Sequence, residues 1–357
     1  MQLEIHNKRP FVSVVLATFN ETHHVQKCMD SLLAQETSGF HMEILAVDGG
    51  STDGTREYLE KVAGKDSRVR VLRNEKRKAP FAFNIGVREA KGDFVCIFGS
   101  HTIYKKDYIA VCLNELIANG AGGCGGRVIT EPSSDNIQAC LVAYGMAHPF
   151  GSSRKSFRTQ AEGFADTVNY MVIRKEAMLK VGGYSEALLR NQDNDFNQKL
   201  GATGNRLYCT WKTQCIYHPK ETVGELFRYG YGNGYWNLIS FKENSASMGL
   251  YHFVPFFFVV AVLASFLICI AELVSPNPAI KFLAWSFPAL LVLHLGLGTF
   301  AALQIMVRYR SFGAMWLPFV FLGFHSAYGL GTLMALLTGA RIPKTAPAKP
   351  SPKPQVG

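Results

Sequence analysis

The sequence lacks the cysteine patterns on which metal-bound or disulfide-linked folds depend. Its eight cysteines include no C-x-x-C pair and no repeating spacing, which argues against both a zinc site and a disulfide framework. We therefore expect reduced, buried thiols, as in a cytosolic compartment. The chain also opens without the pattern of a secretory signal peptide, because residues 1–10 are polar and lead directly into an apolar run.

Charged residues are scarce in the last third of the chain. Residues 251–340 are overwhelmingly apolar, whereas the preceding part has mixed charge and regular turn signals. Three stretches reach or nearly reach the roughly 20 apolar residues that cross a bilayer, namely Phe253–Leu273, Phe282–Val307 and Trp316–Leu337. The composition predicts a domain in water followed by about three transmembrane helices.

The boundaries of these regions follow the change in composition. We predict a cytoplasmic domain over residues 1–225, an interfacial amphipathic segment over 226–250, transmembrane helices over 251–340 and a disordered basic tail over 341–357. An ordinary linker packed on the domain is the alternative for the second region. The protein is expected in the inner or plasma membrane, crossing it several times.

The orientation of the membrane region has two readings. The basic loop Arg308–Arg310 agrees with a cytoplasmic N-terminal domain by the positive-inside rule. Three crossings, however, would place the basic tail outside. Either the tail is tolerated there, or one of the three segments is re-entrant.

The formal net charge of +10 raises the question of nucleic-acid binding. The Lys and Arg residues are scattered and are not interleaved with stacking aromatics, as a nucleic-acid surface would require. Attraction to membrane lipids and to phosphorylated substrates accounts for the charge instead. We therefore expect no nucleic-acid partner.

Apolar runs typical of buried parallel strands alternate with segments of helical spacing near the start of the chain. The predicted strands are Phe11–Thr18, Met42–Val47, Val69–Leu72 and Phe94–Phe98, and the predicted helices are His24–Ala34, Thr55–Val62 and Phe81–Ala90. This alternation predicts an α/β fold with a mostly parallel, Rossmann-like sheet. Ligands bind beyond the carboxyl ends of such strands. The polar residues there are Thr18, Asn20, Glu21, Asp48, Asp53, Gly99, Ser100 and His101.

Four motifs in sequence order resemble glycosyltransferase family 2, whose members have the GT-A fold and transfer a sugar with inversion. They are residues 11–21 (FVSVVLATFNE), 47–55 (VDGGSTDGT), 84–93 (NIG, then AKGD) and 182–193 (GGYSE, then QD). The resemblance covers roughly residues 11–220. The membrane spans and the motif at His101 are similar to bacterial succinoglycan-type glucosyltransferases.

The resemblance implies a binding site for a nucleotide diphosphate sugar, with a UDP-sugar as the expected donor. Asp48 would accept a hydrogen bond from the base, while Thr18, Asn20 and Glu21 would cover base and ribose, and Ser100 would lie beside them. Lys78, with Lys76 and Arg77, forms a basic loop that would steer phosphates. The competing interpretations are a turn residue for Asp48, a helix cap for Asp53 and a solvated surface run for the basic loop.

The metal motif departs from the family. The usual D-x-D is here Gly99-Ser100-His101, so the first aspartate is absent. By resemblance, His101 and His218 would ligate a divalent cation, Mn²⁺ or Mg²⁺. Imidazole suits Mn²⁺ better than Mg²⁺, which prefers oxygen ligands. Either histidine could instead have a structural role.

Asp193 occupies the position where the family places its catalytic base, just before an expected helix over Asn194–Leu200. Asp195 would point elsewhere, and the competing role for Asp193 is an N-cap. Gln192 replaces the family's usual glutamate.

The resulting prediction is an inverting hexosyltransferase that acts on a lipid-linked, polyprenyl-diphosphate saccharide in surface or exopolysaccharide synthesis. The alternatives are direct transfer to polyprenyl phosphate and a non-catalytic scaffold of a polysaccharide assembly complex. A processive synthase is disfavoured, because no Q-x-x-R-W motif follows Asp193.

Overall fold

The computed structural model describes residues 9–340. Its strands are β1 (Phe11–Thr18), β2 (His41–Asp48), β3 (Val69–Arg73), β4 (Phe94–Gly99), β5 (Thr102–Tyr104), β6 (Gly123–Thr130), β7 (Gly163–Ala165), β8 (Val172–Arg174) and β9 (Leu207–Tyr217). Its helices are α1 (Val25–Leu33), α2 (Thr55–Ala63), α3 (Ala79–Glu89), α4 (Tyr108–Ala118), α5 (Ile137–Met146), α6 (Lys175–Lys180), α7 (Gln192–Ala202), α8 (Val223–Glu243), α9 (Val254–Val274), α10 (Pro278–Ala284), α11 (Ser286–Tyr309) and α12 (Leu317–Leu337). The predicted tail over 341–357 lies outside the described residues.

The nine strands form one mixed sheet in which the longest pairings are parallel. Its order is β3-β2-β1-β4-β8-β6-β9-β5, and β7 pairs with β9 at the side. β1 runs parallel to both β2 and β4, whereas the short β8 is antiparallel to its neighbours β4 and β6. The carboxyl ends of β1, β2 and β4 therefore meet at one rim, as the alternation of strands and helices predicts.

Helices cover both faces of the sheet and bury its apolar residues. Helices α1 and α4 lie over one face, and α3, α6 and α7 lie over the other. Gly86 marks a close approach of α3 to the sheet, since a Cβ there would collide with the side chain of Val15 on β1. The glycine at residue 86 of the N-x-G motif is therefore explained by the close packing of α3 on β1.

Three helical stretches are long and apolar enough to cross a membrane, as the composition predicts. They extend over Leu250–Val274, Ile280–Tyr309 and Phe312–Leu337. The last two are joined by a hydrogen bond between the imidazoles of His294 and His325, whose nitrogens are 3.0 Å apart. All eight cysteines are free thiols; six are buried, as the sequence analysis expects, whereas Cys140 and Cys269 are partly exposed.

Most of the segment predicted to lie at the interface belongs to the long helix α8, which packs on α12. A Cβ at Gly230 would come within 2.8 Å of the ring of Phe324, and one at Gly234 would meet the backbone carbonyl of Tyr328. The hydroxyl of Thr332 also donates to the carbonyl of Gly234 at 2.8 Å. The helix therefore connects the sheet domain to the membrane region, and its depth relative to the lipid headgroups stays a prediction.

Candidate active site

Asp48 ends β2 and organises the loop that follows it. Its carboxylate is completely buried and accepts hydrogen bonds from the N–H groups of Gly50 and Ser51 and, at 2.6 Å, from the Ser51 hydroxyl. Gly50 has φ +79°, a conformation that favours glycine. Asp48 thus stabilises the turn that follows β2, as one interpretation of the sequence expected. Its contact with a nucleotide base stays a prediction.

The end of β1 is fastened to the same loop. Asn20 adopts φ +57°, and its side-chain oxygen accepts from the N–H of Thr52 at 2.9 Å. The N–H of Glu21 donates to the hydroxyl of Thr55 at 2.8 Å, and Thr18 is buried without a hydrogen-bond partner for its hydroxyl among residues 9–340. These contacts fix the positions of Thr18, Asn20 and Glu21 at the rim.

Asp53 supports the start of α2 from just outside the helix. The N-cap residue is Gly54, and the Asp53 carboxylate accepts from the N–H of Thr55 at 3.1 Å. It also accepts from the N–H of Thr22 at 3.0 Å, and these hydrogen bonds lower its pKa against the opposing effect of burial. Asp53 therefore has a structural role at the start of α2, but Gly54 and not Asp53 holds the N-cap position that the sequence suggested for it.

Glu21 and His101 form a pair at the centre of the rim. His101 Nε2 lies 3.0 Å from Glu21 Oε1, and the ring of His24 stands edge-on to the ring of His101 at 4.9 Å between centroids. His218 is nearby, with its backbone N–H on the carbonyl of His101 and its Nδ1 3.1 Å from the carbonyl oxygen of Glu131. Burial and the neighbouring His101 lower the pKa of His24.

This group has few protein ligands for a metal. Among residues 9–340, no three His, Cys, Asp or Glu side chains are placed together to hold an ion. A carboxylate and an imidazole at the rim nevertheless fit a cation that takes its remaining ligands from substrate phosphates, as Mg²⁺ commonly does. The donor set is therefore suited to a cation that binds with the nucleotide.

The position of the missing aspartate is covered by Tyr170. A Cβ at Gly99 would lie 3.3 Å from Cε1 of that ring and 3.8 Å from its hydroxyl oxygen. Tyr170 has φ +52°, so the aromatic ring is presented from an unusual backbone conformation. Nothing in the motifs pointed to Tyr170, because it reaches the rim from a distant, irregular segment.

The remaining rim residues differ in exposure. Ser100 is buried beside Gly99, whereas the side chain of Lys78 is exposed. In the basic loop, the guanidinium of Arg77 approaches Gly50, where a Cβ would be 3.6 Å from Arg77 Nε. The structure therefore brings Arg77 next to the Asp48 loop, and phosphate steering by Lys78 stays a prediction.

Two of the sequence motifs are joined by one asparagine. The Asn84 side chain accepts from the N–H of Tyr184 at 3.0 Å and donates to its carbonyl at 2.9 Å and to Glu186 Oε1 at 3.1 Å. The ring of Tyr184 stacks on Phe196 of α7 at 4.3 Å. Asn84 thus positions the segment that supports the helix of Asp193.

Asp193 lies in the first turn of α7, and the N-cap residue is Asn191 with φ +58°. The Asp193 carboxylate forms no hydrogen bond or ion pair with another described side chain, and burial raises its pKa to about 6. Asp195, by contrast, is buried. Its carboxylate forms an ion pair with Lys199 at 2.7 Å and accepts a hydrogen bond from the side chain of Asn244 at 2.9 Å. Asp195 is thereby a structural residue, while Asp193 is left available.

A cavity of about 510 Å³ adjoins α7 on the membrane side. Asn194 and Gln198 of that helix line it together with Gly249 and Tyr251, which lead into α9. The rim residues at β1 and β2 are not among its lining, so this space is separate from the predicted nucleotide site.

Comparison with known proteins gives the family. A profile described as glycosyl transferase family 2 matches residues 13–182. The succinoglycan biosynthesis protein ExoA of Rhizobium meliloti (strain 1021) is 31% identical over 245 residues, which are 68% of this chain and 73% of that protein. The chain belongs to glycosyltransferase family 2. It is a glycosyltransferase, and the resemblance stated from the motifs is confirmed.

A second relative comes from an archaeon. The dolichyl N-acetyl-alpha-D-glucosaminyl phosphate 3-beta-D-2,3-diacetamido-2,3-dideoxy-beta-D-glucuronosyltransferase of Methanococcus voltae is 28% identical over 255 residues, covering 64% of this chain and 76% of that protein. Among solved structures, the mannosyltransferase PcManGT from Pyrobaculum calidifontis, in complex with GDP-Man and Mn²⁺, aligns with a TM-score of 0.57 and 19% identity. That alignment covers 92% of this chain and 88% of the other, and it supports the GT-A fold.

Proposed function

We propose that this family 2 enzyme transfers one hexose, with inversion, from a nucleotide diphosphate sugar to a polyprenyl-diphosphate-linked saccharide. The observation that carries the proposal is Asp193, whose carboxylate has no hydrogen-bond or ion-pair partner among the described side chains and lies at the start of a helix beside the membrane helices. Inverting transfer needs one base on the acceptor hydroxyl. The named relatives, one in succinoglycan synthesis and one with a dolichyl-linked acceptor, support the acceptor class.

The donor would bind at the rim formed by the ends of β1, β2 and β4. The buried Asp48 is held in place by hydrogen bonds from its loop, and its carboxylate would accept a hydrogen bond from the base. Thr18, Asn20 and Glu21 would flank base and ribose. Ser100 would adjoin the diphosphate, and the cationic Arg77 and Lys78 would attract it. A UDP-sugar is the proposed donor.

Asp193 would act on the other side of the transferred sugar. In its ionised form it accepts the proton of the acceptor hydroxyl as that oxygen attacks the anomeric carbon and the bond to the nucleotide diphosphate breaks. A pKa of about 6 keeps this carboxylate mostly ionised at neutral pH and more basic than an ordinary aspartate.

A divalent cation, Mn²⁺ or Mg²⁺, is part of the proposal. His101 and His218 would hold it, and the Glu21 carboxylate lies 3.0 Å from His101 Nε2 on the same side. When bound, the ion would neutralise charge on the departing diphosphate. The imidazole favours Mn²⁺ over Mg²⁺.

The three membrane helices would keep the enzyme in the plasma membrane, with the sheet domain in the cytoplasm. The basic loop at Arg308 and Arg310 fits a cytoplasmic location. This arrangement would bring the acceptor's lipid into the bilayer and its sugar to the level of Asp193.

The test uses the full chain purified in detergent, a panel of nucleotide sugars and two acceptor classes. Each donor would be incubated with polyprenyl phosphate or with a polyprenyl-diphosphate saccharide. Mass spectrometry would then identify the products. We expect the saccharide acceptor to gain one hexose with one donor. Transfer of hexose to polyprenyl phosphate, and not to the saccharide acceptor, would favour the direct-transfer alternative. If no sugar were transferred and no donor bound, the scaffold alternative would be favoured.

A further inference from the structure

Two arginines without acidic partners lie near the junction between the sheet domain and the membrane helices. Arg190 directly precedes the N-cap residue of α7, and Arg158 belongs to the irregular segment between α5 and β7. Among residues 9–340, no carboxylate oxygen lies within 4.0 Å of either guanidinium, although twelve other ion pairs satisfy that limit. Both arginines are partly buried, and a partly buried cation without an anionic partner is a candidate for binding an anionic ligand.

Tyr229 of α8 connects the two arginines. The guanidinium carbon of Arg190 lies 5.5 Å from the centre of the Tyr229 ring, and its Nη1 donates to Asn233 at 2.8 Å. Arg158 also interacts electrostatically with Tyr229. Burial would raise the pKa of Tyr229, but Arg158, Asn233 and Arg190 together lower it. The hydroxyl of Tyr229 therefore lies in a strongly cationic environment.

Arg158 retains an unused donor. Its guanidinium carbon packs 4.2 Å from the ring centre of Phe157 and 5.1 Å from that of Tyr217. Its buried Nε has no hydrogen-bond partner among the described residues. A buried donor that is left unpaired is costly, so an acceptor from a ligand would stabilise this arrangement.

Helix α8 relates the arginines to the base and to the membrane. Tyr229, Asn233 and Asn237 recur at four-residue spacing and so share one face of the helix. Asn237 accepts from the side chain of Asn191, the N-cap residue of α7, at 3.0 Å, and it donates to the hydroxyl of Tyr328 on α12 at 3.0 Å. Helix α8, to which Arg190 donates a hydrogen bond at Asn233, therefore contacts both the element that carries Asp193 and the third membrane helix.

We infer that Arg158 and Arg190 form a binding site for the phosphate or diphosphate of the lipid-linked acceptor. Guanidinium groups match phosphate oxygens in geometry, and two of them around a tyrosine suit a dianion better than a neutral sugar. The acceptor is favoured over the donor as the source, because Tyr229 belongs to the helix that packs on the membrane region. This inference rests on the proposed function.

The test measures two ligands separately on the full chain in detergent. Geranylgeranyl diphosphate and the uncharged geranylgeraniol probe the lipid site, and a nucleotide sugar that binds the wild type probes the donor site. The variants are Arg158→Gln and Arg190→Gln. The matched control is Arg154→Gln, which removes the same charge from an exposed position in the Arg158 segment.

We expect each of the two site variants to weaken binding of the diphosphate lipid by about 10-fold or more, because a charge-assisted contact is lost. Binding of the nucleotide sugar and of geranylgeraniol should stay within about twofold of wild type, and Arg154→Gln should change neither ligand. Unchanged binding of the diphosphate lipid in the site variants would overturn the inference. So would a selective loss of the nucleotide sugar, which would assign the arginines to the donor.

A second measurement does not depend on folding of the variants. Wild-type protein should bind geranylgeranyl diphosphate more tightly than geranylgeraniol, and the difference should shrink as salt is raised. Equal affinity for the two lipids at low salt would contradict the inference. Failure of every nucleotide sugar to bind the wild type would instead contradict the proposed function, so the two failures are distinguishable.

Discussion

The ring of Tyr170 lies against the backbone of Gly99, with Cε1 only 3.3 Å from the position a Cβ would take. This contact gives the departure from the D-x-D motif a physical reason. A side chain at residue 99 would be tight against this ring, which would have to shift by a few tenths of an ångström. The glycine at residue 99 and the tyrosine at residue 170 are thus in direct contact, and the absence of a side chain at one leaves room for the ring of the other.

We predict that Gly99→Asp, which restores the motif, lowers stability, because overpacking of a filled site costs about 1–3 kcal/mol. Introduced together with Tyr170→Ala, the same change should cost less, since the obstructing ring is gone. Thermal unfolding of the two single variants and the double variant forms a double-mutant cycle that measures this coupling. Equal cost of Gly99→Asp in both backgrounds would show that Tyr170 is not the obstacle.

The first four strands of the sheet, β1 to β4, were predictable because each is a short apolar run in the sequence. β1 was predicted with its observed ends, Phe11–Thr18, and the predicted β2, β3 and β4 each differ by one residue at one or both ends. The antiparallel β8 was not predicted, because three residues carry too little periodicity. Its place between β4 and β6 depends on contacts distant in sequence.

Helix α8 and the arginine site show where sequence reasoning stops. Three glycines within five residues, Gly230, Gly232 and Gly234, disfavour a helix by about 1 kcal/mol each. Packing against α12 overrides that preference, since the close contacts need small residues. Arg158 and Arg190 are 32 positions apart in the printed sequence. Arg158 lies outside the motifs, and Arg190 lies in the spacer between GGYSE and QD, so only the folded chain brings both beside Tyr229.

The packing of α8 leads to a prediction with a matched control. Gly234→Ala should destabilise the protein, because the new methyl group would meet the carbonyl of Tyr328 on α12. Gly224→Ala, near the start of the same helix, adds a methyl group into open space. The control should be neutral or stabilising by up to about 1 kcal/mol, from helix propensity alone. Melting temperatures in detergent compare the two, and a similar shift for both would refute the close packing.

Asn84 gives a prediction about positioning. Asn84→Ala removes the hydrogen bonds to Tyr184 and Glu186, which link α3 to the segment supporting α7. Stability should fall by about 1–3 kcal/mol, as expected when partners of a part-buried network are left unsatisfied. Turnover should fall more than donor affinity, since Asp193 would be less well placed. A loss confined to donor affinity would place Asn84 in the nucleotide site instead.

The raised pKa of Asp193 predicts the acidic limb of the pH profile. Burial favours the neutral acid and lifts its pKa to about 6. A base must be ionised, so kcat/KM should rise tenfold per pH unit below about 6 and level off above it. The measurement is kcat/KM as a function of pH with a soluble acceptor analogue, because kcat/KM reports the pKa of groups in the free enzyme. A limb near pH 4, the range of an ordinary aspartate, would assign the titration to another group.

The most direct test of the central claim compares sugar transfer by wild type, Asp193→Asn and Asp166→Asn. Asp166 is exposed, and its ion-pair partner among residues 9–340 is the exposed Lys155, so its variant removes one carboxylate that belongs neither to the predicted nucleotide site nor to α7. Loss of a general base predicts a fall in kcat of about 10²–10⁴-fold for Asp193→Asn, with donor binding retained. Asp166→Asn should transfer sugar at the wild-type rate. Undiminished transfer by Asp193→Asn would contradict the account.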